Sequence, residues 1–288
     1  MKPVPFYYHK PRSVDEALSI LAEVAPDDGR VLAGGQSLVP TMAFRMARPR
    51  HLVDINEIEA LRRLEVRDGK LCIGACVRHA DFHEPAVKNQ LTALLSRIVR
   101  HIAHAPIRSR GTFCGSIANA DPASEWCAVA ACLDAEMVAQ SALGTRIILV
   151  RDFFQGIMTT ALREDELLAE VRLPLLAADA RSGFYEFNRR AGDFAIAMAL
   201  AIYRLDGTTM IEPRIAIGGA EPHPRRIGAA ERALDGAVPG AESFARAADL
   251  AAKGIVDPLE DATTSAHYRV ELVRTVTERA LKESMAGS

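Results

Sequence analysis

The chain has 288 residues, of which 49% are hydrophobic and 25% are charged, as in ordinary globular proteins. That length exceeds the usual size of a single hydrophobic core, so we expect two or three domains. A formal net charge of −2 excludes the strongly basic surface that binds nucleic acid or anionic membranes, and we expect neither partner.

The first predicted elements form a β-α-β unit. Ser13 is a suitable N-cap for a helix over residues 14–25. A short apolar strand, a short helix and a second strand follow, at residues 30–33, 38–44 and 51–55. These elements predict a small N-terminal α/β domain over residues 1–56.

The segment Ala33-Gly34-Gly35-Gln36-Ser37 joins the predicted strand to the short helix. Paired glycines can take positive φ and let a ligand approach the main chain closely. Ser37 offers an N-cap hydroxyl, and the free N–H groups of the helix start would point toward the glycines. Backbone donors and the helix dipole in this arrangement bind phosphate groups. The alternative is an ordinary turn, because glycine punctuates many loops.

A middle domain is expected over residues 57–176. It begins with a β-hairpin, since Asp68-Gly69 favours a tight turn between strands at residues 61–66 and 70–75. Later helices are predicted over residues 78–84, 90–103 and 123–133, and strands near residues 135–140, 146–150 and 166–173.

A second glycine segment, Arg110-Gly111-Thr112-Phe113-Cys114-Gly115-Ser116, again places hydroxyl side chains beside glycines. Asp121 and Pro122 follow as the predicted N-cap and first residue of the helix at 123–133. Two roles stay open for Asp121, namely capping that helix and binding a ribose hydroxyl. The two glycine segments together predict two walls of one anion-binding site.

A third domain is expected over residues 177–288, after an Ala- and Asp-rich link at residues 175–182. Its predicted strands come first, at residues 183–190, 195–204 and 213–218. Its predicted helices follow, around residue 230 and at residues 243–253 and 267–283.

Metal-binding and nucleophilic side chains form no recognisable set in the sequence. The five cysteines lack the spacing of an iron–sulfur site and are expected to be buried, reduced thiols. His79 and His83 are four residues apart, but without a third ligand a solvated helix face is the favoured interpretation. His101 and His104 approach the second glycine segment, so a role beside a bound cofactor stays open. We predict no catalytic residue and no metal ligand.

Ordered motifs along nearly the whole chain resemble the FAD-binding medium subunit of the molybdenum hydroxylases, the family of carbon monoxide dehydrogenase and xanthine dehydrogenase. Both glycine segments take part in the resemblance. Further matching motifs are Phe6-Tyr7-Tyr8-His9-Lys10-Pro11, Phe44-Arg45, His51-Leu52-Val53-Asp54-Ile55-Asn56, Ile73-Gly74-Ala75, Ala118-Asn119-Ala120-Asp121-Pro122-Ala123 and Ala216-Ile217-Gly218-Gly219-Ala220.

The resemblance implies an α+β fold in which a small N-terminal βαβ domain and a mixed, PCMH-like middle domain hold FAD. A C-terminal domain of antiparallel sheet packed with helices follows. The first glycine segment is implied to hold the diphosphate, the second to lie near the adenosine side, and a leucine of the late middle domain to touch the flavin. The cofactor-binding residues implied in this way are Ala33, Gly34, Gly35, Gln36, Ser37, Leu38, Gly111, Thr112, Gly115, Ser116, Asn119, Asp121 and Leu168.

Two positions depart from the pattern of the family. Asn188 stands where some members have a lysine, so the contact made by that lysine is not expected here. Cys114 stands where glycine is common, and we expect the second glycine segment either to be stiffer or to sit differently over the nucleotide as a result.

The same resemblance implies an oxidoreductase subunit in a heterotrimer. Electrons from a substrate oxidised in a large molybdopterin-binding subunit would pass through the two-iron, two-sulfur clusters of a small subunit to this FAD, and then to an external acceptor. The implied assembly is a dimer of heterotrimers. The amino terminus lacks a secretory signal, so we expect a cytoplasmic location. Two alternatives stay open: a self-sufficient FAD-dependent oxidoreductase, and a non-redox nucleotide-binding assembly module.

Overall fold

A computed structural model of the chain describes residues 2–84 and 87–286. Its N-terminal part is a parallel three-stranded sheet in the order β1-β3-β2, with α1 packed on it. The Ser13 hydroxyl accepts a hydrogen bond from the Glu16 N–H at 3.2 Å and caps α1, as expected. The elements are β1 (Tyr7–His9), α1 (Val14–Val24), β2 (Gly29–Leu32), α2 (Leu38–Ala43) and β3 (His51–Asp54). The β-α-β prediction is confirmed.

The middle part contains an antiparallel five-stranded sheet in the order β4-β5-β10-β6-β7. The predicted hairpin is present: Asp68 and Gly69 have φ of 52° and 72°, values that match the twist of the two strands. The strands of this part are β4 (Leu64–Arg67), β5 (Lys70–Gly74), β6 (Glu136–Ser141), β7 (Gly144–Leu149), the short pair β8 (Phe154–Gly156) and β9 (Thr159–Thr160), and β10 (Leu167–Pro174).

Helices on one side of this sheet differ most from the sequence expectations. The predicted helix at 78–84 is a single 3-10 turn over His79–Phe82, and the helix predicted over 90–103 ends at Ile98. The chain beyond it leaves the helical path, since Ala103 has a left-handed φ of 42° and the Arg108 guanidinium donates to the carbonyl groups of residues 102 and 103. The helices are α3 (Gln90–Ile98), α4 (Ala105–Arg108), α5 (Phe113–Asn119), α6 (Glu125–Cys132) and α7 (Val150–Phe153).

The C-terminal part is an antiparallel four-stranded sheet in the order β11-β12-β13-β14, covered on one face by three helices. Its elements are β11 (Arg181–Phe187), β12 (Ala197–Asp206), β13 (Thr209–Gly218), β14 (Arg225–Arg226), α8 (Gly228–Leu234), α9 (Ala241–Lys253) and α10 (Ala266–Ala286). The α+β fold class that the sequence predicts is confirmed.

Strand β12 joins two hydrophobic cores because successive side chains of a strand point to opposite faces. Met198, Leu200 and Ile202 belong to the core of the first two sheets. Ala199 and Tyr203 lie in the core beneath the C-terminal helices. The C-terminal sheet is thereby packed against the middle part, and the loop between β11 and β12 comes close to the glycine segments.

Arg269 on α10 links the residue before β12 to the residue after β13 through hydrogen bonds. It is 6% exposed, and its guanidinium donates to the carbonyl groups of Ile196 and Gly219 at 2.7 Å and of Leu259 at 2.9 Å. The Gly219 N–H in turn donates to the Pro122 carbonyl at 2.7 Å. This chain of bonds connects the last helix with the segment that follows the second glycine segment.

All five cysteines are free and buried, as the sequence predicts. Burial raises the pKa of the Cys76 thiol to about 11 and of the Cys127 thiol to about 12, so both are thiols at neutral pH. In the described residues no helix combines the length and the apolar character that crossing a membrane requires.

Candidate functional site

A cavity of about 480 Å³ lies where the three sheets approach one another. Its walls come from the residues around both glycine segments, from the start of β10 and from Gly192, Asp193 and Phe194 in the loop between β11 and β12. Cavities of this size hold small ligands and cofactors. The cavity is therefore the candidate site.

The two glycine segments touch each other along their main chains. A Cβ atom placed on Gly34 would lie 2.4 Å from the Arg110 carbonyl oxygen and 2.7 Å from the Gly111 Cα. Gly35 has φ of 71°, a left-handed conformation that side chains disfavour. The contact therefore requires glycine at residue 34, and the turn favours glycine at residue 35.

The first glycine segment offers free backbone donors. Among the described residues, the N–H groups of residues 35–38 find no protein acceptor, whereas the Val39 N–H bonds to the Gly35 carbonyl. The expectation that the Ser37 hydroxyl caps α2 is wrong, because Ser37 itself has helical φ and ψ of −104° and −51° and its hydroxyl makes no capping bond. These donors, with the dipole of α2, suit an anion.

The second glycine segment is partly helical, which the sequence does not predict. Thr112 caps α5, and its Oγ1 accepts a hydrogen bond from the Gly115 N–H at 3.0 Å. Gly115, Ser116 and Asn119 therefore lie on a short helix rather than in a loop, with Asn119 about one turn after the other two. All three residues line the cavity.

Asp121 does not cap the following helix, so that prediction is wrong. Helix α6 begins at Glu125 with Ser124 as its N-cap. The Asp121 carboxylate accepts a hydrogen bond from the Ala123 N–H at 2.9 Å, and this local turn delays the helix. Burial raises the pKa of Asp121, although the Ala123 N–H acts against the rise. Asp121 nevertheless lines the cavity.

The structure brings the predicted site residues together. Leu168 on β10 is 4% exposed and lies at a bulge of that strand, with its side chain in the wall of the cavity. The residues implied by the sequence that line this one cavity are Ala33, Gly34, Gly35, Gln36, Ser37, Leu38, Gly111, Thr112, Gly115, Ser116, Asn119, Asp121 and Leu168. Their binding of FAD stays a prediction.

His79 does not lie on a solvated helix face, so that interpretation is wrong for this residue. It is 4% exposed, and its Nδ1 accepts a hydrogen bond from the Trp126 Nε1 at 2.9 Å. Burial lowers the pKa of His79 to about 4, and the charges of Arg78 and Arg108 act in the same direction. His79 is therefore neutral at pH 7. In the described part of the chain no group of three metal-ligating side chains is present.

Arg108 and Arg110, which precede the second glycine segment, support the loops instead of lining the cavity. Arg108 holds the carbonyl groups of residues 102 and 103. The Arg110 carbonyl accepts a hydrogen bond from Arg78, whose other nitrogen donates to the Asn56 side chain at 2.5 Å. Burial lowers the pKa of Arg78. Arg78 thus ties the second glycine segment to the N-terminal sheet.

Three lining residues have no signal in the sequence. Phe194, which is 72% exposed, and Met158, which is 54% exposed, are apolar residues that line the cavity from two distant parts of the chain. Glu125 is buried at the start of α6. An aromatic residue after Gly192-Asp193 looks like a surface residue in the sequence, and only the packing of β12 brings it to the cavity.

Two family models match the chain. Residues 4–176 match the FAD binding domain in molybdopterin dehydrogenase, and residues 182–284 match the CO dehydrogenase flavoprotein C-terminal domain. The first match covers more than half of the chain and contains both glycine segments.

Similar proteins cover nearly the whole chain. The chain is 38% identical to caffeine dehydrogenase subunit beta of Pseudomonas sp. (strain CBB1), over 98% of this chain and 95% of that protein. It is 34% identical to the carbon monoxide dehydrogenase medium chain of Hydrogenophaga pseudoflava, over 99% of both. The solved carbon monoxide dehydrogenase from Hydrogenophaga pseudoflava superposes with a TM-score of 0.94 at 36% identity, over 99% of both chains. The chain therefore belongs to the FAD-binding medium subunits of the molybdenum hydroxylases, and it is an oxidoreductase component whose cofactor is FAD.

Proposed function

We propose that this chain is the electron-transfer subunit of a heterotrimeric molybdenum hydroxylase. It takes electrons from the two-iron, two-sulfur clusters of a small subunit, which receives them from a large molybdopterin-binding subunit, and passes them to an external acceptor. The observation that carries the proposal is the contact of Gly34 with Gly111, beside the free N–H groups of residues 35–38 in one cavity wall.

The residues of the cavity fit FAD. The diphosphate is the most highly charged part of this cofactor, and the N–H groups of residues 35–38 supply several donors for it without a side chain in the way. Ser116 and Asp121 supply polar groups for the adenosine side, where the carboxylate suits ribose hydroxyls. Leu168 supplies an apolar surface for the flavin ring.

When bound, FAD supplies the capacity to take up and release electrons, and the protein has to bind, orient and partly shield it. The two glycine segments are linked to each other, because Arg78 bridges the second segment to Asn56, and the Asn56 amide donates to the Ala33 carbonyl of the first segment at 2.7 Å. We also propose domain limits at residues 1–56, 57–176 and 177–288, since each range contains one of the three main sheets.

The relatives support a multi-subunit enzyme, because their names describe a subunit beta and a medium chain. The five buried, free cysteines support the assignment of the iron–sulfur clusters to a partner. We propose a dimer of heterotrimers in the cytoplasm.

The test is to purify the tagged full-length chain from its native source and to record its absorption spectrum together with iron and molybdenum contents. A flavin spectrum with co-purifying iron and molybdenum is the expected result. Substrate turnover by the isolated yellow chain would favour a self-sufficient oxidoreductase. A chain that stays colourless after incubation with FAD would refute the proposal in favour of an assembly module.

A further inference from the structure

Two side chains behind the cavity wall connect the two glycine segments. Asn56 follows β3, and its amide nitrogen donates to the Ala33 carbonyl at 2.7 Å. The amide oxygen of Asn56 accepts a hydrogen bond from the Arg78 guanidinium at 2.5 Å, and another nitrogen of Arg78 donates to the Arg110 carbonyl. Neither Asn56 nor Arg78 lines the cavity. Both residues therefore act on it through the main chain of the two segments.

These hydrogen bonds and the contact at Gly34 form a closed ring. Ala33, which Asn56 holds, is the neighbour of Gly34 in the chain. The Arg110 carbonyl oxygen, which Arg78 holds, is the atom that a Cβ on Gly34 would approach to 2.4 Å. Asn56 and Arg78 thus fix the two carbonyl groups at the place where the segments touch. Loss of either bond frees one segment to shift along the other.

The backbone holds each of these two residues beside one segment. The residue before Asn56 donates its N–H to the Leu32 carbonyl at 3.1 Å, so Asn56 lies beside the first glycine segment. The residue after Arg78 donates its N–H to the Gly111 carbonyl at 2.9 Å, so Arg78 lies beside the second. The hydrogen bond between the two side chains therefore crosses from the support of one segment to the support of the other.

The orientation of the Asn56 amide follows from the charges around it. The Asp54 Oδ1 accepts hydrogen bonds from the Asn56 Nδ2 at 2.5 Å and from the Asn56 main-chain N–H at 2.9 Å. The other oxygen of Asp54 accepts a bond from the Tyr8 hydroxyl. A carboxylate can only accept and a guanidinium can only donate, so the amide nitrogen must face Asp54 and the amide oxygen must face Arg78. In this orientation the nitrogen also reaches the Ala33 carbonyl.

We propose that Asn56 and Arg78 are positioning residues of the cofactor site, which set the distance between the segment that binds the FAD diphosphate and the segment on its adenosine side. The place of FAD in this statement rests on the proposed function, whereas the link between the segments does not. The free N–H groups of residues 35–38 follow Ala33 within a few residues. Loss of the Asn56 bond therefore moves these donors relative to the second segment and away from the diphosphate.

Asn56→Asp keeps the shape of the side chain and the acceptor toward Arg78, but it replaces the donor by an oxygen that repels Asp54 and the Ala33 carbonyl. We expect the dissociation constant of FAD, measured by flavin fluorescence on the FAD-free full-length protein, to rise about tenfold or more. At saturating FAD the phosphorus NMR signals of the bound diphosphate should also shift. The matched control is Asn89→Asp at the N-cap of α3, where aspartate caps as well as asparagine, and it should change neither quantity.

A double variant separates positioning from stability. Asp54→Asn combined with Asn56→Asp has the composition of the wild type and again provides a donor and an acceptor between residues 54 and 56. It still points a carboxylate at the Ala33 carbonyl. We expect it to recover most of the free energy of unfolding that Asn56→Asp loses in urea titrations, whereas its dissociation constant for FAD stays raised. A purely structural role would make the two quantities recover together.

Arg78→Lys separates geometry from charge. Lysine keeps the positive charge but lacks the planar fork that donates to Asn56 and to the Arg110 carbonyl from two nitrogens. We expect its dissociation constant for FAD to rise about as much as that of Asn56→Asp. An unchanged constant would mean that the charge alone matters, and it would overturn the positioning role of Arg78.

A folded Asn56→Asp protein that binds FAD within about twofold of the wild type, with unchanged phosphorus signals, would overturn the proposal. If Asn56→Asp does not fold, the same limit applies to Arg78→Lys. Failure of the wild type to bind FAD would instead refute the proposed function. Hydrogen–deuterium exchange of residues 29–39 in the FAD-free chain would then still decide whether Asn56 links the segments, because Asn56→Asp should raise the exchange there and Asn89→Asp should not.

Discussion

Replacement of Gly34 by alanine tests the contact between the two glycine segments. The new Cβ would lie 2.4 Å from the Arg110 carbonyl oxygen, and ordinary contacts of this kind begin at 3.4 Å, so the segments must separate by the difference, 1.0 Å. A hydrogen bond of about 3 Å stretched by that amount is lost. We expect the wall that carries the free N–H groups of residues 35–38 to move away from the cofactor.

The size of the effect follows from the loss of one hydrogen bond to a charged group. Such a bond contributes about 1.5–3 kcal/mol, and each 1.4 kcal/mol changes affinity about tenfold. The dissociation constant of FAD in Gly34→Ala should therefore rise about 10- to 100-fold. Titration of the FAD-free protein with FAD, followed by flavin fluorescence, measures it, and circular dichroism verifies the fold.

Gly240→Ala is the matched control. The same methyl group there meets no atom within 4 Å, and the backbone is extended with φ of 173°. This variant should bind FAD like the wild type. A folded Gly34→Ala protein whose dissociation constant stays within about twofold of the wild-type value would refute the assigned role of the contact.

Three further predictions concern other parts of the molecule. Gly35→Leu should lower the ratio of flavin to protein in the purified chain, because φ of 71° is strained for leucine by about 1–2 kcal/mol. In the folded protein the pKa of His79 is lowered to about 4 from 6.5. As the pH falls, His79 therefore becomes protonated in the unfolded chain before it does in the folded chain. The free energy of unfolding should thus fall by about 3 kcal/mol as the pH drops from 6.5 to 4, and His79→Gln should remove this part of the fall in urea titrations. Arg269→Met should lower the free energy of unfolding by about 3 kcal/mol, because three carbonyl groups lose a charged donor.

Each of these predictions has a control or a contradicting result. Gly207→Leu places the same side chain at φ of 57° in open space, so a loss of flavin there as well would point to backbone strain and not to the site. Parallel pH curves for the wild type and His79→Gln would rule out the titration of that residue. Arg151→Met is the control for Arg269→Met, because the Arg151 side chain is 76% exposed. Equal free energies of unfolding for these two variants would contradict the hydrogen bonds assigned to Arg269.

Local chemistry made several elements predictable. Ser13 marks the start of α1 through its own hydroxyl, and Asp68-Gly69 fixes the hairpin through its own backbone conformation. Both signals act within a few residues of the chain. The turn at Gly35 was equally readable, because its φ of 71° is a property of the local backbone. The requirement for glycine at residue 34 comes instead from the distant Arg110 carbonyl.

The errors arose where distant residues or competing local bonds decide the structure. His79 is buried because Trp126, 47 residues away, supplies its hydrogen-bond partner. Helix α6 starts late because the Asp121 carboxylate binds the Ala123 N–H instead of capping the helix. Helix α5 was missed because Gly115 masks the capping signal of Thr112. Phe194 reaches the cavity only through the packing of the C-terminal sheet.

The walls of the cavity come from segments that are far apart along the chain, from Arg30 to Phe194. A ribosome must therefore release 194 of 288 residues before the last part of the wall exists. Because domains fold in turn during synthesis, the cofactor meets a complete pocket only late in translation. Nascent chains and truncated products that end before residue 194 should therefore lack part of the wall and fail to retain flavin, and flavin loading in the cell reports on chains that extend beyond that residue.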